Sequence, residues 1–319
     1  MATQARRPGA AQSRFTRPLV PILVVLAVGI LFLFIGSFIA PASASYRGIE
    51  AAPFDPVKMI PYLVVGAVIA YGVGVLAGDK DLWTVGTREV VYMAIGAALY
   101  GVLSWATNII QLPSVALVSL RPAIVIPIFF GVVFGPAVGF FSGFVGNILG
   151  DAITGWGVFP IWDIGNGLIG LVAGLSVAFA NRKRGLDALV ILVGAVGVIL
   201  TILILANPTI VDPNGDGTAT IDISGTWWLP LLGVAIAIGL RYALRGREDI
   251  GSAQLWGALG IIVGIGFASL ADIWWNGYSF LTALLGEFVP AAGSDLINGL
   301  ILLPILLVAW NSAQARTGR

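Results

Sequence analysis

The chain has 319 residues, of which 58% are hydrophobic and only 10% charged, with a formal net charge of +1 and a mean hydropathy of +0.97. No soluble domain of this size needs so apolar a composition, so the sequence reads as a polytopic membrane protein. It holds no cysteine and no histidine, which excludes disulfides, Cys or His metal sites, Cys/His nucleophile pairs and histidine proton relays, and leaves any proton chemistry to carboxylates.

In chain order, residues 1–17 are basic and polar and read as a disordered cytoplasmic tail. Apolar runs then follow at Pro18 to Ala40, Met59 to Gly78, Arg88 to Ile110, Ser119 to Phe134, Ala137 to Asp151, Trp162 to Ala180, Ala188 to Ala206, Trp227 to Leu244, Ala253 to Trp275 and Ser294 to Trp310. Each is long enough to cross a bilayer or nearly so, which predicts an all-α fold of about ten transmembrane helices. The first run has a basic front and a PASAS tail like a secretory signal. Its roughly 22 apolar residues exceed a signal core, so a retained anchor is expected. It pairs with the second run as a hairpin, and the linker GDKDLWTVGTRE closes the segment 18–87.

Ten spans put both termini on one side. Of the 17 Lys and Arg residues, 14 fall on that side and only Arg47, Lys58 and Arg121 on the other, so both termini are expected in the cytoplasm of a bacterial-type inner membrane. The most informative stretch is Ser119 to Asp151, where two apolar runs meet at a bare Gly135-Pro136 turn. Arg121 stands at one end, Asn147 and Asp151 at the other, so these polar ends return to the outer side together.

Two further polar pairs open helices on that side: Asp163 with Asn166, and Asp295 with Asn298, each at i, i+3 and so on one helix face. Asp163-Ile-Gly-Asn-Gly-Leu-Ile echoes Asp295-Leu-Ile-Asn-Gly-Leu-Ile, with Gly165 against Ile297 the one unlike position when Ile164 and Leu296 are counted alike. Repeats of this kind bracket transport sites, and helix capping by aspartate explains the same pattern without function. Arg121 fits two roles, an anion clamp for a substrate or an ion-pair partner for Asp151, Asp163 or Asp295. Trp156 and Trp162 flank the short loop GWGVFPIWD and suit stacking on a planar ring or an aromatic belt.

Ala94 to Tyr100, the Ser119 to Asp151 hairpin and DIGNGLIGLVAGL together resemble the substrate-binding S component of energy-coupling factor (ECF) vitamin transporters, closely over residues 88–181 and more loosely over 251–312. The resemblance implies a six-helix core with four extra helices: core helices one to four at 88–181, an inserted hairpin at 182–250, and core helices five and six with a tail at 251–319. The alternative makes Ala188 to Ala206 the fifth core helix. It implies that Ala94-x-x-x-Ala98 docks a transmembrane coupling subunit, with Ala97-x-x-x-Gly101 on the same flank. Ordinary close packing is the competing account of such small residues. It also implies two ATPase subunits as partners and a vitamin or vitamin precursor as cargo.

The substrate site is therefore expected at Arg121, Asn147, Asp151, Trp156, Trp162, Asp163, Asn166, Asp295 and Asn298. No catalytic residue, cofactor, metal or nucleic-acid partner is expected. The loop from Asp212 to Asp222 imitates a calcium loop, but Ile223 stands where the bidentate Glu belongs, so an exposed turn is expected. No Gly-x-x-x-x-Gly-Lys-Ser/Thr occurs, so the chain does not hydrolyse ATP by a phosphate loop. The rival readings are a self-contained secondary transporter carrying protons on Asp151, Asp163, Asp272 or Asp295, an intramembrane enzyme, and a structural subunit of a larger complex.

Overall fold

The computed structural model describes residues 83–108, 110–116, 118–178, 184–213 and 217–317, with scattered positions between 19 and 75. The two expected N-terminal spans lie outside the described residues apart from isolated positions, as does most of the segment between them, where Ser45–Tyr46 (β1) pairs with Ile49–Glu50 (β2). Eight helices match the remaining eight expected runs: α1 Thr87–Thr107, α2 Val125–Phe134, α3 Pro136–Thr154, α4 Pro160–Gly174, α5 Gly185–Ala206, α6 Trp228–Ala243, α7 Glu248–Trp275 and α8 Val289–Thr317. Among the described residues seven helical segments are long and apolar enough to cross a membrane, and Pro122–Phe134 is a shorter apolar helix. The protein is a membrane-embedded multi-pass chain.

The α2–α3 hairpin turns on a single residue. Gly135 adopts φ 105°, a conformation L side chains rarely take, and Pro136 starts α3 where no backbone N–H is needed. Close approach then brings α3 to α4: a Cβ on Gly143 would collide with the Asn166 carbonyl, so only glycine lets the two backbones touch one turn before Asn147.

Helices α1 to α4 pack with α7 and α8, while α5 and α6 pack chiefly on each other and on α7 and α8. Arg241 of α6 donates to Asp187 of α5 at 2.5 Å and ties that pair at one end. On the other end β3 (Thr209–Val211) and β4 (Thr220–Asp222) form an antiparallel hairpin, as the exposed-turn reading expects. The Ser224 hydroxyl and backbone N–H hold the Asp222 carboxyl below its ordinary range.

Two prolines leave carbonyls that other elements satisfy. Pro290 has no N–H for the Gly286 carbonyl, and the chain just before α8, Thr282–Phe288, is π-helical. The loop after α1 fills the gap, with Ser114 Oγ donating at 2.9 Å and Val115 N–H at 3.1 Å to Gly286 O. Within α8, Pro304 frees the Leu300 carbonyl, and the buried Gln254 of α7 donates to it at 3.0 Å. Gln254→Leu is therefore expected to destabilise the ligand-free protein by about 1–3 kcal/mol, since it buries an unpaired carbonyl. Thermal unfolding in detergent checks this, and an unchanged midpoint would refute it.

Candidate functional site

Five segments of the bundle each send a polar side chain to one buried point. In α3, Asn147 is 1% exposed and acts as the hub. Its Oδ1 accepts from Arg121 Nη1 at 2.9 Å and from the Tyr100 hydroxyl of α1 at 3.5 Å. Its Nδ2 donates to Asp151 Oδ2 at 2.9 Å and to Asp163 Oδ1 of α4 at 2.8 Å. Every donor and acceptor of that amide is therefore used.

Arg121 precedes the 3-10 turn Pro122–Ile124 that opens α2, and Pro122 fixes the chain there for helix entry. Its side chain turns inward: Nη2 donates to Asp295 Oδ2 of α8 at 3.4 Å, and the guanidinium sits 6.0 Å from the Tyr100 ring centre. Asn166, one turn beyond Asp163, accepts from the Tyr100 hydroxyl at 2.6 Å and donates to the Trp162 carbonyl at 2.8 Å. The echoed aspartates meet the hub from opposite sides, Asp163 directly and Asp295 through Arg121.

Of the expected site residues, the structure thus joins Arg121, Asn147, Asp151, Asp163, Asn166 and Asp295. Asn298 stays outside this hydrogen-bonded set, with its Nδ2 buried and unpartnered. Trp156 is half-buried, and its backbone N–H donates to the Asp151 carbonyl at 3.0 Å. Trp162 is turned elsewhere: its indole N–H donates to Asp272 Oδ2 of α7 at 3.2 Å.

Sequence reasoning missed two things. Tyr100 is fully buried in an apolar helix, and a buried phenol needs a partner, which was the available signal. The second is a carboxyl pair below Trp162. Asp272 also accepts from Asn276 Nδ2 at 2.8 Å, and it faces Glu287, which is fully buried on the π-helical turn. Tyr278, between α7 and that turn, has its phenol raised above the ordinary range by burial and by Glu287, Asp272 and Asp212.

The four small residues of α1 divide between two faces. Ala94 and Ala98 are exposed on the bundle surface. Ala97 and Gly101 are buried against α3, where a Cβ on Gly101 would lie 2.8 Å from Leu149 Cβ and one on Gly146 2.9 Å from the Ala97 carbonyl. The expectation that all four share a docking flank is corrected: residues 97 and 101 serve internal packing, because each three-residue step, from 94 to 97 and from 98 to 101, turns the chain about 60° around the axis onto the side that α3 covers.

Fold and site define a membrane-embedded protein with a buried polar centre shared among several helices. Residues 84–238 match the family described as ECF-type riboflavin transporter, S component, and over that span the chain is similar to that family. That family is a transporter component and not an enzyme, and it carries a substrate-binding role in vitamin transport. The match runs through α5 and most of α6, whereas Asp295 of the polar centre lies beyond it on α8. Similar curated proteins are UPF0397 proteins of Vibrio atlanticus (43% identical over 96 residues, 30% of this chain and 52% of the relative), of Aliivibrio fischeri strain MJ11 (40%, 30% and 51%) and of Aliivibrio salmonicida (38%, 30% and 51%). The chain spans about half the length of the curated relatives it matches. No solved structure matches it.

Proposed function

We propose that the chain captures a small vitamin or vitamin precursor from outside the cell and delivers it inward as part of an ECF-type importer, with a transmembrane coupling subunit and two ATPase subunits. The observation that carries this is the buried polar centre around Asn147, built from α1, the start of α2, α3, α4 and α8. Polar side chains at membrane depth are costly unless they serve a pathway or a ligand. Here they converge on one point instead of pairing locally. Riboflavin, named in the description of the matched family, is the first cargo to test. The core is read as α1 to α4 with α7 and α8, and α5 with α6 as an added pair, because α5 and α6 supply no side chain to the centre.

Both termini are placed in the cytoplasm, which sets the β3–β4 hairpin outside. Cysteine labelling suits a chain with no native cysteine. Ala219→Cys, at an exposed position of the hairpin, is expected to react with an impermeant maleimide in intact cells. Reaction only after the cytoplasmic face is opened would reverse the orientation. The reading as a whole is tested by uptake: cells expressing the chain with a coupling module should accumulate a vitamin that cells lacking it do not, and equal accumulation would refute it.

A further inference from the structure

Outside the polar centre, one buried acid has no use in what has been described. Glu287 sits on the π-helical turn Thr282–Phe288, is fully buried, and neither of its carboxyl oxygens meets an N–H or O–H donor. Its side chain lies within hydrogen-bond reach of Asp272 near the end of α7, a residue only 2% exposed. Asp272 has both oxygens taken by neutral donors, Oδ1 by Asn276 Nδ2 at 2.8 Å and Oδ2 by the Trp162 indole N–H at 3.2 Å.

The groups that face this pair come from four places. Asp272 and Asn276 belong to the end of α7, Tyr278 and Glu287 to the connection between α7 and α8, Trp162 to the start of α4, and Asp212, just after β3, reaches Tyr278. Among the described residues no Lys or Arg faces either carboxyl. Two carboxyl groups in contact are both acceptors, so a hydrogen bond between them requires a proton on one. Without a cation beside them, two buried negative charges would repel each other uncompensated. The donors divide the roles: Asp272, which already takes two N–H groups, is the acceptor, and Glu287, which takes none, carries the proton.

The pair also bears on the polar centre. Trp162 directly precedes Asp163, which Asn147 holds, and the Trp162 carbonyl accepts from Asn166 Nδ2. Asp272 thus anchors the first turn of α4, the turn that delivers Asp163 and Asn166 to the hub. We propose that Asp272 and Glu287 share one proton that locks the α7–α8 connection to the start of α4, and that its release to water loosens Trp162. That this reaches a cargo rests on the S-component reading, whereas the shared proton and the response of Trp162 do not.

The test uses the purified full-length chain in lipid nanodiscs, with its tryptophans replaced biosynthetically by 5-fluorotryptophan. Trp162→Phe assigns the fluorine resonance of that residue. In the wild type this resonance is expected to shift between mildly acidic and alkaline pH along a single titration curve. In Glu287→Gln the amide N–H gives Asp272 a donor that pH cannot remove, so the resonance should hold its acidic-pH position throughout. Infrared difference spectra of the wild type should lose the C=O band of a protonated carboxyl along the same curve. A wild-type resonance that ignores pH overturns the proposal whether or not the variant folds, and so does a folded Glu287→Gln that still titrates. A resonance that follows sodium concentration at fixed pH assigns the pair a metal cation and likewise overturns the shared proton. None of these results touches the S-component reading, which falls only if the chain fails to assemble with a coupling subunit and to support uptake.

Discussion

The double variant Ala94→Trp, Ala98→Trp is expected to reduce uptake to background while the isolated chain still binds its cargo. Around these two alanines the surface of α1 is made of large side chains: Val91, Ile95, Leu99 and Val102 are all about half exposed. Ala94 and Ala98 therefore form a notch on that surface, the shape that lets a second helix approach closely. Two indoles would fill the notch and hold a partner helix away by several ångströms. They would touch nothing in the polar centre, because Tyr100 leaves α1 on the opposite, buried face.

The control is Ala97→Trp on the buried side. It meets α3 near Gly146 and should cost folded yield instead of coupling, since a packed helix interface does not accommodate a bulky ring. Uptake that survives the double variant would make the notch a lipid-facing surface without a partner.

Much of this architecture is legible in the residues. Eight of the apolar runs read from hydropathy reappear as helices, because in lipid each backbone polar group must be satisfied within its own segment, so length and apolarity decide the span. The Gly135-Pro136 turn is equally plain, since one residue must reverse the chain and the next must begin a helix. Arg121, Asn147, Asp151, Asp163, Asn166 and Asp295 stand out because polar side chains are rare in such runs.

Rotation about the helix axis was not legible. Helix α1 is apolar on every side, so nothing in its pattern distinguishes the face holding Ala97 and Tyr100 from the face holding Ala94 and Ala98. Nor does a sequence say which acceptor a donor will find. Trp162 stands beside Asp163 in the chain, yet its indole bonds to Asp272 more than a hundred residues on. The π-helical turn at Thr282–Phe288, which carries Glu287 inward, follows from Pro290 and from the loop that docks on Gly286, a tertiary cause with no local pattern.

The hub gives the largest expected effect on the site. Asn147→Ala removes one amide and strands its partners: Arg121 Nη1 loses its acceptor, Asp151 Oδ2 and Asp163 Oδ1 lose their donor, and the Tyr100 hydroxyl keeps only Asn166. Hydrogen bonds to charged groups are each worth about 1.5–3 kcal/mol, and unpaired buried partners add their own desolvation cost. Cargo binding should therefore be lost outright, and the ligand-free protein should be weakened by about 3 kcal/mol or more. Tyr100→Phe is the graded comparison. It deletes one hydroxyl without opening a cavity, strands only the Asn166 oxygen, and should cost about 1–2 kcal/mol in stability with partial loss of binding. Binding isotherms and melting curves on the two variants measure the difference. If Asn147→Ala proved no more harmful than Tyr100→Phe, the hydrogen bonds through Asn147 would not be what joins the five segments, and the centre would have to be held by Arg121 and Asp295 alone.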